Sequence, residues 1–280
     1  MTIDPIRVSE ILKSLSETII MPQYGRLLST DIEQKTSPTD LVTRVDKEAE
    51  AYLVEALKPL IPNAMFVGEE AASEDPSIVA ALQSPGVVWV IDPIDGTRNY
   101  INKVNEFAVI LALVENGVTK MGWIYACPDD ACAIAVRDKG ATWRGGAIRV
   151  AHSGEGPPTG FRSIGWLGDA ERKRLTDRLK KNTFTKPGHC SAYAYLKLAF
   201  GAVDFKLSSR IHPWDHAAGV LLLEELGGRT AFLSHHENAL DGVDIPENGA
   251  DYHPCNSIDH PLLAVAPGRD WQAISALLGY

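Results

Sequence analysis

The run Trp89-Val90-Ile91-Asp92-Pro93-Ile94-Asp95-Gly96-Thr97-Arg98-Asn99-Tyr100 joins an apolar segment to two carboxylates, followed at once by Gly and Thr. Residues 87–91 are apolar without a break, the pattern of a buried strand. Pro93 fixes the backbone between Asp92 and Asp95, so that both side chains turn toward one point, and Gly96 permits close backbone approach. Carboxylates aimed together repel unless they share a proton or a cation. A short helix starting near Gly96-Thr97 would set free N–H groups, an anion seat, beside that cation. Cation and anion seat together suggest metal-assisted phosphate chemistry. Asp-Pro and Asp-Gly are also ordinary turn dipeptides, so the reading rests on the whole run.

Working outward, 280 residues suffice for one large domain or two moderate ones. A net charge of -9 excludes a nucleic-acid polymer or an anionic membrane as the main partner, since both call for basic patches. Cys127, Cys132, Cys190 and Cys255 match neither a zinc spacing nor a disulfide framework, which fits reduced thiols in the cytoplasm. No apolar run approaches the ~18 residues of a membrane span, and the first residues lack a basic-then-apolar leader.

Asp4-Pro5 starts a helix running to about Met21, and apolar residues at helical spacing mark a second, ending near Pro59. At its entry, Thr43 and Asp46 have the spacing of a capping box. A short strand over 64–67 ends at Gly68-Glu69-Glu70, and strands follow at 107–114, 118–127, 131–136 and 147–150, the first two joined by the hairpin signal Asn116-Gly117. Residues 1–153 therefore read as an α+β part, helices on an antiparallel sheet. After Ser153-Gly154-Glu155-Gly156-Pro157-Pro158 the rhythm changes. Residues 154–280 alternate: strand 160–165, helix 169–180, helix 192–200, strand 203–207, helix 214–226, strand 229–233, strand 262–266, helix 270–278. That is an α/β part. Asp215 falls in the first turn of one of these helices, where a carboxylate favours the dipole, and His216 reads as an ordinary satisfied or solvent-facing histidine. His235, His236, His253 and His260 lack metal-site spacing and read as loop residues.

Gly68-Glu69-Glu70, Asp92-Pro93-Ile94-Asp95-Gly96-Thr97 and Trp214-Asp215-His216-Ala217-Ala218-Gly219, in that order, resemble the inositol monophosphatase family of metal-dependent phosphatases. Asp40-Leu41-Val42-Thr43 with Asp46, and Gly227-Gly228, extend the resemblance over nearly the whole chain. It implies an αβαβα layered sandwich, a homodimer, Li⁺ sensitivity, a small phosphorylated metabolite as partner, and two Mg²⁺ ions with a weaker third near Glu70. Glu69, Asp92 and the Ile94 carbonyl would hold the first ion; Asp92, Asp95 and Asp215 would hold the second. Thr97 with Asp46 matches the pair that activates water, completing a catalytic group with Glu69, and the Gly96 and Thr97 N–H groups match the phosphate seat. The implied reaction is two-metal, in-line hydrolysis of inositol monophosphate or a similar small polyol phosphate. Inositol-preferring members carry Glu where this chain has Ser208, with Lys206 and Arg210 beside it. Such basic residues would suit a second anionic group on the substrate. The other branches, fructose-1,6-bisphosphatase, histidinol-phosphate phosphatase and adenosine bisphosphate nucleotidase, stay open, although nucleotidases follow Gly-Thr with Lys-Glu-Phe where this chain has Arg98-Asn99-Tyr100. So does a binding protein that keeps the fold without turnover. Cys190 and Ser191 are further expected linings for the leaving group.

Overall fold

The computed structural model describes residues 3–34, 41–151, 156–233, 250–254 and 260–280. Asp4 caps α1 (Pro5–Leu15), its carboxylate accepting the Ile6 N–H at 2.9 Å. A π-helical turn, Ser16–Ile20, carries the chain into α2 (Met21–Gln23). Two strands, β1 (Ile32–Gln34) and β2 (Leu41–Thr43), pair antiparallel, and β2 runs straight into α3 (Arg44–Leu57). Three-residue strands are too short to show a hydrophobic period, which is why sequence spacing did not disclose them.

The first sheet has the order β3 (Met65–Gly68), β4 (Val87–Asp95), β5 (Ala108–Glu115), β6 (Val118–Ala126), β7 (Ala131–Val136), β8 (Gly140–Trp143), β9 (Gly146–Ala147). After β3 comes α4 (Glu69–Glu74), and after β4 comes α5 (Thr97–Ile101). All neighbours are antiparallel except β3 and β4, whose link through α4 and a 3₁₀ segment, Pro76–Gln83, is long enough to cross back in parallel. Asn116 and Gly117 both have positive φ, 50° and 78°, the conformation a tight hairpin demands. The strand expected at 147–150 is corrected: Arg144 and Gly145, also at positive φ, turn the chain between β8 and β9, and 148–150 lie outside the sheet.

In the second half, β10 (Thr159–Ser163), α6 (Asp169–Asn182), β11 (Phe184–Pro187), α7 (Ser191–Ala199), β12 (Phe205–Ser208), α8 (Pro213–Glu224), β13 (Arg229–Phe232), β14 (Ala250–Asp251), β15 (Leu262–Val265) and α9 (Trp271–Leu278) follow. The strands form a second sheet ordered β11-β10-β12-β15-β13-β14.

Alternate side chains of the strands bury themselves on opposite faces, and this sets the layering. On one face of the first sheet Trp89, Ile91, Leu111 and Trp123 pack against Val8 and Leu12 of α1 and Val45, Ala49 and Leu53 of α3. On the other face Val88, Val90, Ile110 and Ile124 meet Tyr195 and Leu196 of α7 and Ala217, Ala218 and Leu221 of α8, which in turn cover Phe232 and Leu262 of the second sheet. The far face of that sheet, Phe205, Leu207 and Leu263, is closed by Leu175 and Leu179 of α6 and Ile274 and Leu278 of α9. The result is a helix, sheet, helix, sheet, helix sandwich. Each fully buried large side chain contributes about 1.5–3 kcal/mol. Gly122 lets α8 lie directly on β6, since a Cβ there would stand 2.8 Å from Ala218 Cα. That contact brings the start of α8, with Asp215, toward the end of β4.

Candidate active site

Asp92 pairs with Ile110 and Asp95 with Ala108, so three steps along β4 match two along β5. Side chains three apart on a regular strand point to opposite faces, and the extra residue of a bulge restores them to one side. Pro93 is tolerated there because a bulge leaves a residue outside the ladder. The convergence expected from Pro93 alone therefore comes from the bulge.

Asp215, in the first turn of α8 behind Pro213, completes the group: one carboxylate oxygen from each of Asp92, Asp95 and Asp215 lies within 4.8 Å of the other two. Glu69, the first residue of α4, lines the same cleft of about 130 Å³, together with Ile94, Gly96 and Thr97. The N-terminus of α4 is held by Glu50, whose carboxylate accepts the Glu70 and Ala71 N–H groups at 2.8 and 2.9 Å.

The electrostatics of this cluster are unfavourable by themselves. Asp92 is 1 % exposed and its Oδ1 has no hydrogen-bond partner among the described residues. Burial first, then Glu69, Asp95, Asp215 and Asp46, push its carboxyl well above the ordinary range. Burial also raises Asp95, opposed by the Cys190 thiol at 2.8 Å and the Ala192 and Ser191 N–H groups at 2.6 and 3.1 Å. Asp215 is pushed up to about 8, by burial and then by Asp95 and Glu69. A hard divalent cation would reverse all three shifts, and a donor set of carboxylates and a carbonyl is what such a cation prefers. The residues present fit the metal.

A pH dependence follows. Unfolded aspartates titrate near 4, whereas these folded ones hold their protons to higher pH. Across the interval from about 4 to about 8 these aspartates bind more protons in the folded chain, so their contribution to the stability of metal-free protein falls as pH rises through it, opposed below about 6.5 by buried His216, which burial holds neutral. Thermal melts in EDTA are expected to show the midpoint dropping between pH 5 and 8, and melts in excess Mg²⁺ a much smaller drop.

Gly96 caps α5 at φ +87°, where a Cβ would stand 3.0 Å from the Glu106 carbonyl oxygen and 3.1 Å from Cys190 Cβ. The turn presents Thr97 to Asp46: Thr97 Oγ lies 3.2 Å from Asp46 Oδ1 and 3.0 Å from the Ile94 carbonyl. Asp46 also forms the capping box, its Oδ2 accepting the Thr43 N–H at 2.8 Å and the Thr43 hydroxyl at 2.6 Å. The two readings of Asp46 are compatible, one oxygen serving each.

A second pocket of about 430 Å³ adjoins the cleft and shares Asp95, Arg98, His189 and Asp215 with it. Cys190, Ser191 and Ser208 line it as expected. Ser208 Oγ accepts from Lys206 Nζ at 2.6 Å; burial brings that ammonium down to about 8, against Asp215 and Asp95. Sequence reasoning missed Arg162, Trp166 and His189 on this wall, since nothing in their spacing ties them to the motifs. Glu70 lies elsewhere, lining a pocket with Glu33, Lys47 and Glu74. His216 is buried, Nδ1 2.7 Å from the Tyr195 hydroxyl and Nε2 3.3 Å from the Arg210 carbonyl, as a satisfied core histidine. Cys127, Cys132 and Cys190 are free thiols. Asp40, His235, His236 and Cys255 lie outside the described residues. Among the described residues, no helix is long and apolar enough to cross a membrane.

Two sheets between three helical layers, with an acidic cluster where a bulged strand meets a helix start, define a metal-dependent phosphatase of the layered type. The chain belongs to the inositol monophosphatase family, whose profile matches residues 7–259. It is 32% identical over 206 residues to an inositol-1-monophosphatase of Bacillus subtilis (strain 168), covering 71% of this chain and 75% of the relative. It is 32% identical over 235 residues to a fructose-1,6-bisphosphatase/inositol-1-monophosphatase of Thermotoga maritima, covering 82% and 86%. The solved structure of the extragenic suppressor protein suhB from Bartonella henselae shares the fold, with a TM-score of 0.76 at 19% identity over 98% of this chain and 97% of that one. Family members are phosphatases acting on small phosphorylated substrates.

Proposed function

We propose that the chain is a Mg²⁺-dependent phosphomonoesterase acting on inositol monophosphate or a similar small polyol phosphate. The observation that carries this reading is Asp92 Oδ1, a buried carboxylate oxygen that has no hydrogen-bond partner among the described residues and is acted on by four further carboxylates. Glu69, Asp92 and the Ile94 carbonyl would hold one ion, and Asp92, Asp95 and Asp215 a second. The chemistry Mg²⁺ supplies when bound is neutralisation of phosphate charge, a lower pKa for water and support for the leaving alkoxide. The protein's own groups do the positioning. Asp46 Oδ1 accepts the Thr97 hydroxyl proton, leaving a Thr97 Oγ lone pair to receive a hydrogen bond from the attacking water. Gly96 and Thr97 line the cleft, and their N–H groups at the start of α5 would suit phosphate oxygens.

The names of the relatives include a bisphosphatase, and a cationic wall beside the cleft favours keeping the other branches of the superfamily as a second reading. Phosphate release from inositol 1-phosphate, fructose 1,6-bisphosphate, histidinol phosphate and adenosine 3',5'-bisphosphate, each with Mg²⁺ and with EDTA, tests both. The expected result is release in Mg²⁺ from at least one and none in EDTA. Silence across the panel with retained Mg²⁺ binding would instead support a binding protein on the same fold.

A further inference from the structure

The pocket that adjoins the carboxylate cleft is where the leaving group of a bound phosphoester would extend. Its wall is cationic: Arg98, Arg162, Lys206 and Arg210 line it, and its carboxylates are Asp95 and Asp215, the two it shares with the acidic cluster of the cleft. Lys206 is the least ordinary of these. It is 5% exposed, and its ammonium lies 4.9 Å from the centre of the Tyr195 ring. Its hydrogen bond to Ser208 Oγ uses one of three N–H donors, and among the described residues it forms no ion pair. Asp215 and Asp95 offset part of the charge of this buried ammonium, and an anion arriving in the pocket would take up the donors left over. The Arg98 and Arg162 guanidinium groups likewise have no hydrogen-bonded or ion-paired partner among the described residues.

Lysine and arginine donate and cannot accept. The Ser163, Ser191 and Ser208 hydroxyls that also line the pocket could serve a neutral polyol, whereas only a carboxylate or a phosphate makes use of four cationic donors. We infer that this pocket selects phosphomonoesters whose leaving group carries an anion of its own, a carboxylate or a second phosphate, and that Lys206 is the residue that reads it. This rests on the phosphomonoesterase reading and moves its substrate class from inositol monophosphate toward the branches whose substrates carry a second anion.

The test is kcat/KM in Mg²⁺ on two matched pairs, glycerol 1-phosphate against 3-phosphoglycerate and fructose 1-phosphate against fructose 1,6-bisphosphate. The charged member of at least one pair is expected to be favoured by about tenfold or more, the size of a hydrogen bond to a charged group. The pair that shows it tells carboxylate from phosphate. Lys206→Met is expected to bring that ratio down to within about threefold, and Lys206→Arg to keep most of it. Should Lys206→Met fail to fold by circular dichroism, Arg162→Gln, on the half-exposed wall, is expected to lower the same ratio. Turnover of both pairs with no preference for the charged members, or a ratio unmoved by Lys206→Met and Arg162→Gln, would overturn the inference while leaving the phosphatase. No Mg²⁺-dependent release from any of these four esters or from the earlier panel would overturn both.

Discussion

Asp92→Asn is expected to lower kcat/KM by at least about a thousandfold, roughly 4 kcal/mol of lost transition-state stabilisation. Asp92 is the carboxylate whose Oδ1 has no hydrogen-bond partner among the described residues, and Glu69, Asp95 and Asp215 all act on it. An amide is a neutral and weaker oxygen donor, so one substitution weakens both proposed metal sites at once. The same change is expected to stabilise the metal-free protein, because it removes a carboxyl that burial and four neighbouring carboxylates make costly to ionise. About 1 kcal/mol shifts Tm by roughly 2–4 °C in a chain of comparable size, so a gain of a few degrees in EDTA is the expected readout. Activity lost while EDTA stability rises and the Mg²⁺-induced Tm shift shrinks is a pattern that a merely misfolded variant does not give. Near-normal turnover would contradict the two-site assignment.

Thr97→Val is expected to lower kcat by about 10²- to 10⁴-fold, the range for losing a group that handles the attacking water's proton. Valine keeps the shape but leaves Asp46 Oδ1 and the Ile94 carbonyl without the hydroxyl that now lies 3.2 and 3.0 Å away. The stability cost is only about 1 kcal/mol, since Asp46 Oδ2 keeps both bonds to Thr43 and with them the start of α3. Mg²⁺ affinity, measured by titration calorimetry, is expected to change little, and Thr97→Ser to restore much of the rate. A loss confined to KM, or none restored by serine, would remove Thr97 from the chemistry.

The parts of this account legible in the sequence are those where one residue type suits one local geometry. Gly96 before a short helix and Asp215 behind Pro213 fall where they were expected, while Asp92 and Asp95, expected just after the apolar strand, are its last residues. The bulge between Asp92 and Asp95 was not legible, because one added residue reverses side-chain parity without any composition of its own. The turn Arg144-Gly145 was hidden for a related reason: its first residue takes positive φ although arginine has no preference for it. Asp46 posed a choice between cap and catalytic partner that only three dimensions could dissolve, since a carboxylate has two oxygens and the fold uses each. The cationic wall was half visible. Lys206 and Arg210 flank Ser208 in sequence, but Arg98 and Arg162 join them only through the meeting of α5, β10 and β12 around one pocket.

The most direct test of the central claim is anomalous diffraction from crystals of the wild-type protein soaked in Mn²⁺, a hard divalent stand-in for Mg²⁺. The account predicts a peak in contact with Asp92 Oδ1 and bounded by Asp95 and Asp215, with a second toward Glu69 and the Ile94 carbonyl. A cleft free of anomalous density at saturating Mn²⁺, with Asp92 Oδ1 satisfied by a protein donor or a proton shared with Asp95, would contradict it.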